Sequence, residues 1–431
     1  VDGTHRTFVI IGAGLAGAKA AEALRAEGFT GRVILIGDEH EQPYERPPLS
    51  KKYLAGSAAR DSVYVQEPAW YAGHRVELHL GQPAVRIDRE EQEVRLGDGT
   101  RVPYDALLLA TGSEPRRLGI PGTDLAGVHH LRRLSHADHL RGVLADRAAS
   151  PGPLVIAGAG WIGLEVAAAA RDAGVEVVVV HPSPTPLHSV VGPELGSFFT
   201  DLHREHGVEF RFGTRLAAIT GHRGMVAAVR TEDGRELPAR AVLAAIGAAP
   251  RTALAAAAGL ELAEPAGGGG IAVGPGLRTS DPHIFAAGDV AAVPVPDGEA
   301  GDGNGGGAAE VRRRVDHWAN ARHTGAAAAR SMLGQEVRYD KIPYFFSDQY
   351  DTGLEYSGWA PPGSYDQVVC RGDLSKRAFI AFWLHEGRVR AGLNLNVWEV
   401  TEQIQRLIRS GRQVDPLALA DPDRPLADLL L

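Results

Sequence analysis

Cysteine is almost missing from this chain: Cys370 is the only one in 431 residues. A single thiol can form neither an internal disulfide nor a Cys-X-X-Cys redox pair. It also excludes an iron–sulfur cluster, which needs about four protein ligands. Any redox chemistry here therefore calls for a bound organic cofactor, and Cys370 reads as a buried small hydrophobe rather than a nucleophile. Long apolar runs are missing too. No stretch of about 18 uncharged apolar residues occurs, so no membrane span is expected. Val1 to Thr7 lacks the basic start, apolar core and small-residue cleavage site of a secretory leader, so a cytoplasmic location is expected. Positive charge is not in excess: 45 Lys and Arg stand against 53 Asp and Glu, a net charge of -8. That balance argues against general nucleic-acid affinity. What remains is an ordinary globular composition, long enough for two or three domains of roughly 100–200 residues each.

Two stretches repeat one order of elements. Phe8 to Ile11 is apolar and leads into Gly12-Ala13-Gly14-Leu15-Ala16-Gly17, an Ala-rich helical stretch from Ala18 to Glu27, and a second strand, Val33 to Ile36. Leu154 to Ala157 leads likewise into Gly158-Ala159-Gly160-Trp161-Ile162-Gly163, a helix from Leu164 to Ala173 and a strand from Val175 to Val180. Strand, glycine loop, helix, strand is the order of a nucleotide-binding unit, here duplicated. Hairpins are expected at Asp98-Gly99, between Glu93 to Leu96 and Val102 to Tyr104, and at Asp233-Gly234, within Arg230 to Leu237. In both units an apolar strand is closely followed by glycine, in Ala110-Thr111-Gly112 and Ala245-Ile246-Gly247, which lets backbone approach a ligand. Gly-rich stretches at 266–270 and 294–309 read as exposed, mobile loops. Trp318 to Met332 reads as a helix. From Gln335 the composition turns aromatic, and short apolar runs at 367–369, 378–383 and 388–393 precede a helix over Val397 to Ser410. This reads as a separate α+β domain.

The glycines carry the chemistry. The first of each motif makes the tight turn, the second admits the pyrophosphate, and the third packs helix on strand. The helix N-terminus then receives the anion. Asp38 and Glu39 follow the second strand of the first unit, where an acid binds a ribose. The second unit has His181 there instead. An acid would bind the 2′-hydroxyl of NADH and repel the phosphate of NADPH; His181 does neither decisively, and no Arg between Pro182 and Gly192 clamps a 2′-phosphate. It is either a reader of the ribose or a plain strand end. Gly288-Asp289 closes a short strand, with Asp289 suited to flavin ribityl hydroxyls, to capping a helix, or to both.

These features resemble the pyridine nucleotide–disulfide reductase-like flavoproteins, and more narrowly the ferredoxin reductases of bacterial oxygenase systems, of the putidaredoxin reductase, rhodocoxin reductase and biphenyl dioxygenase reductase type. The segments that carry the resemblance are Pro43 to Lys51, Leu109 to Gly112, Gly158 to Glu165, Ala287 to Asp289 and Pro343 to Tyr350, and the resemblance covers almost the whole chain. The resemblance implies an α/β protein with two Rossmann-like dinucleotide-binding domains in a glutathione-reductase-like plan, plus an α+β C-terminal domain. FAD-binding segments are expected at 1–117 and 249–332, an NAD(P)-binding domain at 118–248 and a reductase domain at 333–431.

For FAD, motif and resemblance together point to Gly12, Gly14, Ala16, Gly17, Asp38, Glu39, Arg46, Lys51, Ala84, Ala110, Thr111, Gly112, Arg132, Gly288, Asp289 and Trp318. For NAD(P), they point to Gly158, Gly160, Trp161, Ile162, Gly163, Glu165, His181 and Gly247. Lys51 and Glu165 are the expected catalytic pair, with Glu165 starting the helix beside the nicotinamide. The implied activity takes hydride from NAD(P)H, with NADH favoured, onto FAD and passes single electrons to a small acidic iron–sulfur ferredoxin that serves a monooxygenase or dioxygenase. A monomer or homodimer is expected, with no metal, nucleic-acid or membrane partner. Two rivals share the motifs: another NAD(P)H oxidoreductase, such as an NADH oxidase or rubredoxin reductase, and a redox sensor like apoptosis-inducing factor. Acceptor preference separates the first, and slow reoxidation of reduced flavin the second. Arg312-Arg313-Arg314 and Arg406, Arg409 and Arg412 are candidate docking charges for an acidic partner.

Overall fold

The strands Thr7–Ile11, Arg32–Ile36 and Ala106–Leu109 are apolar at nearly every position, as parallel strands covered on both faces must be. The computed structural model describes residues 5–146, 152–295 and 311–430. The chain divides into two compact units. The first comprises Val1–Glu45, Arg60–Glu114 and Ala249–Pro343. Its centre is a five-stranded parallel sheet in the order Ile284–Ala286, Ala106–Leu109, Thr7–Ile11, Arg32–Ile36, Val76–His79. Val9 stands opposite both Ile34 and Leu107. The helices Leu15–Ala26 and Trp318–Met332 pack closely, because small residues line the crossing: a Cβ on Gly325 would lie 2.2 Å from the Ala16 carbonyl oxygen. The expected hairpin is there as part of a three-stranded antiparallel sheet, Ala84–Asp88, Glu93–Leu96 and Arg101–Pro103.

The second unit comprises Arg46–Ala59, Pro115–Ala248 and Tyr344–Leu431. It repeats the parallel sheet in the order Val208–Phe212, Val177–His181, Leu154–Ala157, Ala241–Ala244, Val128–His129. The helix Trp161–Asp172 follows the glycine loop. The helix His188–Glu205 is broken at Gly192, whose φ of 76° precedes Pro193. The last segment builds a five-stranded antiparallel sheet in the order Tyr344–Gln349, Thr352–Gly358, Arg388–Leu395, Ala378–His385, Gln367–Asp373. Phe379, Phe382, Trp383 and Leu393 are fully buried in it. The helix Thr401–Ser410 turns Ile404 and Leu407 inward.

Several expected boundaries move, each for a local reason. Both nucleotide-unit helices begin three residues early, at Leu15 and Trp161, directly after an extended glycine; low glycine propensity hides such a start in the sequence. The last helix begins at Thr401 instead of Val397, because Asn396 and Glu399 take left-handed φ values of 51° and 63°. His181 is the last residue of its strand rather than the residue after it. Around residues 266–270, where a mobile loop is expected, Gly268 donates to the Pro265 carbonyl and its own carbonyl receives Arg314 Nε at 2.9 Å, so this stretch is a hydrogen-bonded turn. The 294–309 stretch, including Gly301 to Ala309, lies outside the described residues beyond Val295.

Candidate functional site

In the first unit the glycine loop is built by contact. Gly12 has a φ of +120°, and a Cβ there would sit 2.0 Å from the Ala110 carbonyl oxygen. A Cβ on Gly17 would sit 2.1 Å from the Gly12 oxygen, so both positions are closed to side chains. Gly14 is the opposite case: a Cβ there meets nothing within 4 Å. The helix behind it has no side-chain cap and no acid in its first turn. The first N–H groups of a helix have no intrahelical partner, and the space beside Gly14 is open, which makes the cradle a pyrophosphate needs. Ala16 is buried against Gly288 and Gly325 and so sets the helix spacing rather than lining the opening.

Around this loop stand the other expected residues of the unit. Asp38 pairs with Arg251 at 3.1 Å, and Glu39 accepts from Tyr44 Oη at 2.8 Å. Thr111 Oγ1 donates to the Arg251 carbonyl at 2.9 Å, and Gly112 turns with a φ of 68°. Asp289 lies inside a one-turn helix, Gly288–Val290, whose cap is Ala287, so it is not a capping aspartate. It is buried and takes a hydrogen bond from Ser113 Oγ at 2.9 Å. The Gly288 N–H is held by Thr324 Oγ1 at 2.9 Å. Trp318 opens its helix with Arg322 over its ring, and burial pushes the preceding His317 below the usual imidazole range. Ala84 is half-buried at the start of its antiparallel strand.

The second unit repeats the cradle. Gly158 has a φ of +105° and would drive a Cβ to 2.3 Å from the Ala245 oxygen. Gly163 is closed by the Gly158 oxygen at 2.4 Å, while a Cβ on Gly160 meets nothing within 4 Å. The helix again lacks a side-chain cap and a first-turn acid. Ile162 is exposed beside the opening. Trp161 Nε1 is buried with no partner among the described residues, its ring tilted on Phe345 at 4.8 Å. Gly247 turns with a φ of 95° and accepts from the Arg116 N–H. His181 Nδ1 accepts the Ala159 N–H at 3.3 Å, which ties the strand end to the loop. Burial, then His188 and Arg215, lower its pKa.

Glu165 is the centre of charge in this unit. It lies one turn into the helix, not at its start. Its side chain is 5% exposed. Lys51 Nζ meets Oε1 at 2.6 Å, and Ser50 Oγ donates to Oε2. Ser347 Oγ donates to Oε1 at 2.6 Å. A buried carboxylate needs such donors to offset its lost hydration. The Phe346 ring lies under Lys51 at 5.4 Å. Arg46 donates to the Arg132 carbonyl, so it is anchored rather than loose. Ser50, Ser113, Arg251 and Ser347 were not anticipated; Ser50 and Ser347 lie inside the segments that carry the resemblance.

Three further expectations lie outside the cradles. Cys370 is half-buried, and burial raises its pKa, which suits a packing residue. Arg312–Arg314 forms a strand; Arg312 reaches Glu261, and Arg314 reaches the Gly268 and Asp289 carbonyls and Asp316. Arg406 is tied to Glu402 at 2.6 Å, and Arg406, Arg409 and Arg412 are all exposed. Among the described residues no helix is long and apolar enough to cross a membrane, and no cluster of His, Cys, Asp and Glu could hold a metal ion.

Residues 6–325 match the family model described as pyridine nucleotide-disulphide oxidoreductase, and residues 344–430 match that of the reductase C-terminal domain. The chain is 37% identical over 417 residues to rhodocoxin reductase of Rhodococcus erythropolis, covering 97% of this chain and 92% of the relative. It is 36% identical over 427 residues to the biphenyl dioxygenase system ferredoxin–NAD(+) reductase component of Paraburkholderia xenovorans, covering 98% of each. The crystal structure of a covalent putidaredoxin reductase–putidaredoxin complex matches with a TM-score of 0.90 at 35% identity, over 99% of this chain and 98% of that one. Two glycine cradles, the buried Lys51–Glu165 pair and these likenesses lead to one conclusion: the chain belongs to the pyridine nucleotide-disulphide oxidoreductase family, among relatives that are ferredoxin reductases of oxygenase systems.

Proposed function

We propose that the chain is an NAD(P)H-dependent ferredoxin reductase that binds FAD in the first unit and the nicotinamide dinucleotide in the second. The observation that carries this reading is the pair of cradles, each with open space over its middle glycine and an uncapped helix behind it, in a chain with one cysteine. With no second thiol, a disulfide route is closed and electrons need another exit. FAD, when bound, accepts hydride from the nicotinamide and can release its electrons one at a time.

The chain's own residues have the following parts. Gly12, Gly14 and Gly17 let backbone reach one pyrophosphate, and Gly158, Gly160 and Gly163 the other. Asp289, oriented by Ser113, and Glu39, oriented by Tyr44, accept hydroxyl hydrogens of the flavin nucleotide. Ala84, Ala110, Thr111, Gly112 and Trp318 line that side, while Arg46 and Arg132 are positive charges of the second unit that suit an anionic dinucleotide. Lys51, held by Glu165 in the second unit, forms with it the proposed catalytic pair. His181, which has no positive clamp on its own loop, leaves NADH favoured over NADPH. The proposed acceptor is a small acidic iron–sulfur ferredoxin, supported by the names of the relatives and by the putidaredoxin complex.

The test has two stages. Purified protein should be yellow and release FAD on denaturation; release of FMN, or of no flavin, overturns the reading. Stopped-flow reduction by NADH and NADPH, followed by a ferredoxin panel with cytochrome c as the final acceptor, then separates a ferredoxin reductase from an oxidase or a slow-reoxidising sensor.

A further inference from the structure

Behind Glu165 runs a line of buried polar groups that the proposed reaction does not use. Ser347 Oγ meets Glu165 Oε1 at 2.6 Å, and Gln349 Nε2 meets Ser347 Oγ at 3.2 Å. His203 Nε2 lies 2.9 Å from Gln349 Oε1, and Tyr350 Oη lies 3.1 Å from His203 Nδ1. His203, Gln349 and Ser347 are at most 1% exposed. They come together because Phe345, Ser347 and Gln349 alternate on the buried face of one strand, while His203 is presented by the helix His188–Glu205.

The direction of every link is forced. A carboxylate only accepts, so the Ser347 hydroxyl must donate to Glu165. Its oxygen is then an acceptor and takes the Gln349 amide N–H. The Gln349 oxygen therefore receives His203 Nε2–H, which leaves His203 Nδ1 to accept from Tyr350. Four donors point one way, and such aligned dipoles reinforce one another. An apolar filling of the same shape could be equally stable, so the polarity of this line needs another reason.

We propose that Tyr350, His203, Gln349 and Ser347 form a polarised relay of positioning residues that presents an aligned donor to Glu165 and keeps its Oε1 turned to Lys51. This deepens the proposed function and rests on Lys51 and Glu165 serving the hydride step. Other features agree with it. Tyr350 holds a left-handed φ of 55°, rare for a bulky residue, while its ring stacks on His206 at 3.6 Å. Burial pushes His203 down to about 4, so it stays neutral as the relay demands. The groups facing the line are His206 from its own helix, the Phe210 ring edge from the neighbouring strand, and Arg171 and Asp172 toward Tyr350.

The experiment uses the flavin-loaded protein and the variants Gln349→Leu, His203→Leu and His203→Gln. Stopped-flow flavin reduction is followed from about pH 5.5 to about pH 8.5, beside ¹⁵N NMR of labelled histidines. The leucine variants should move the acid limb up by about one pH unit, a tenfold loss near pH 6 with little change at high pH. His203→Gln keeps a donor and an acceptor and should bring the limb back. In the parent, His203 should carry its proton on Nε2 and resist titration; Gln349→Leu should free the tautomer. An unmoved acid limb, or equal loss at every pH, overturns the relay. If a leucine variant fails to fold, Tyr350→Phe must show the same shift at smaller size, or the relay is overturned. If the parent is reduced by neither nucleotide, the proposed function fails; the NMR still decides the relay, because a His203 protonated on Nδ1 would reverse its direction.

Discussion

The two cradles share a backbone and differ in what surrounds it. Each first glycine is forced by a carbonyl oxygen within 2.0–2.3 Å of where a Cβ would be, and each middle glycine faces open space. They part at the end of the second strand. The first unit has two carboxylates there, one held by Arg251 and one by Tyr44. The second has His181, which turns one nitrogen back onto its own loop. Stereochemistry near the pyrophosphate is therefore common to both, and discrimination is left to a few side chains further out.

The largest expected effects break the likeness. Gly12→Ala should abolish flavin retention. Gly158→Ala should leave a yellow protein whose reduction by NADH falls a hundredfold or more, about 3 kcal/mol. If both variants lose flavin equally, the division of labour is wrong. The Cβ of Gly160→Ala meets no protein atom within 4 Å, so its melting temperature should stay near the parent while the KM for nucleotide rises about tenfold.

Acid should sharpen the contrast next. Among the described residues, His129, His130, His181 and His203 of the second unit have lowered pKa values, against His317 and His323 of the first. Burial is the leading cause in each; for His129, the neighbouring His139, His130 and His136 add to it. A lowered histidine keeps its stabilising effect above the unfolded value near 6.5 and loses it as pH falls toward the folded one. For His203 alone, with a folded value of about 4, the loss is roughly 3 kcal/mol. Hydrogen exchange between pH 7 and pH 5 should show the second unit opening first; uniform loosening would contradict this.

His181→Glu should raise the NADH-to-NADPH ratio of kcat/KM about tenfold, because a carboxylate repels the 2′-phosphate. A ratio unmoved by that change would make His181 a plain strand end. The smallest effect concerns docking. Arg409→Glu should lower ferredoxin-dependent cytochrome c reduction severalfold at low salt, fade as salt rises, and leave ferricyanide reduction alone. Arg313→Glu is the matching change in the first unit, and comparing the two shows which unit carries the contact. Loss in both assays would mean the arginine holds the fold instead.

The glycine loops were legible because their spacing is local: the three glycines of each motif lie within six positions, although the carbonyls that close Gly12 and Gly158 come from Ala110 and Ala245. The apolar strands were legible for the same reason, and the parallel sheets follow their expected centres. Partnerships between distant residues were not. Ser347 meets Glu165 across 182 residues and His203 meets Gln349 across 146, separations over which no periodicity speaks. Resemblance brought Lys51 and Glu165 together, yet residues 46–59 pack with the second unit rather than the first. Asp289 was anticipated; its partner Ser113, 176 residues earlier, needed coordinates.

The first unit is also assembled from segments far apart in the chain. Glu27 and Arg330 form an ion pair across 303 residues, and the helix carrying Arg330 seats Gly325 on the Ala16 backbone. During synthesis at about 5–20 residues per second, the opening strands wait roughly 15–60 s for that helix to leave the ribosome. For most of that wait the strand Ala106–Leu109 keeps an open edge, since its neighbour Ile284–Ala286 is made only shortly before the helix. The nascent chain is thus most exposed to misassembly before it is complete, and slower translation would lengthen that interval rather than help the first unit to fold.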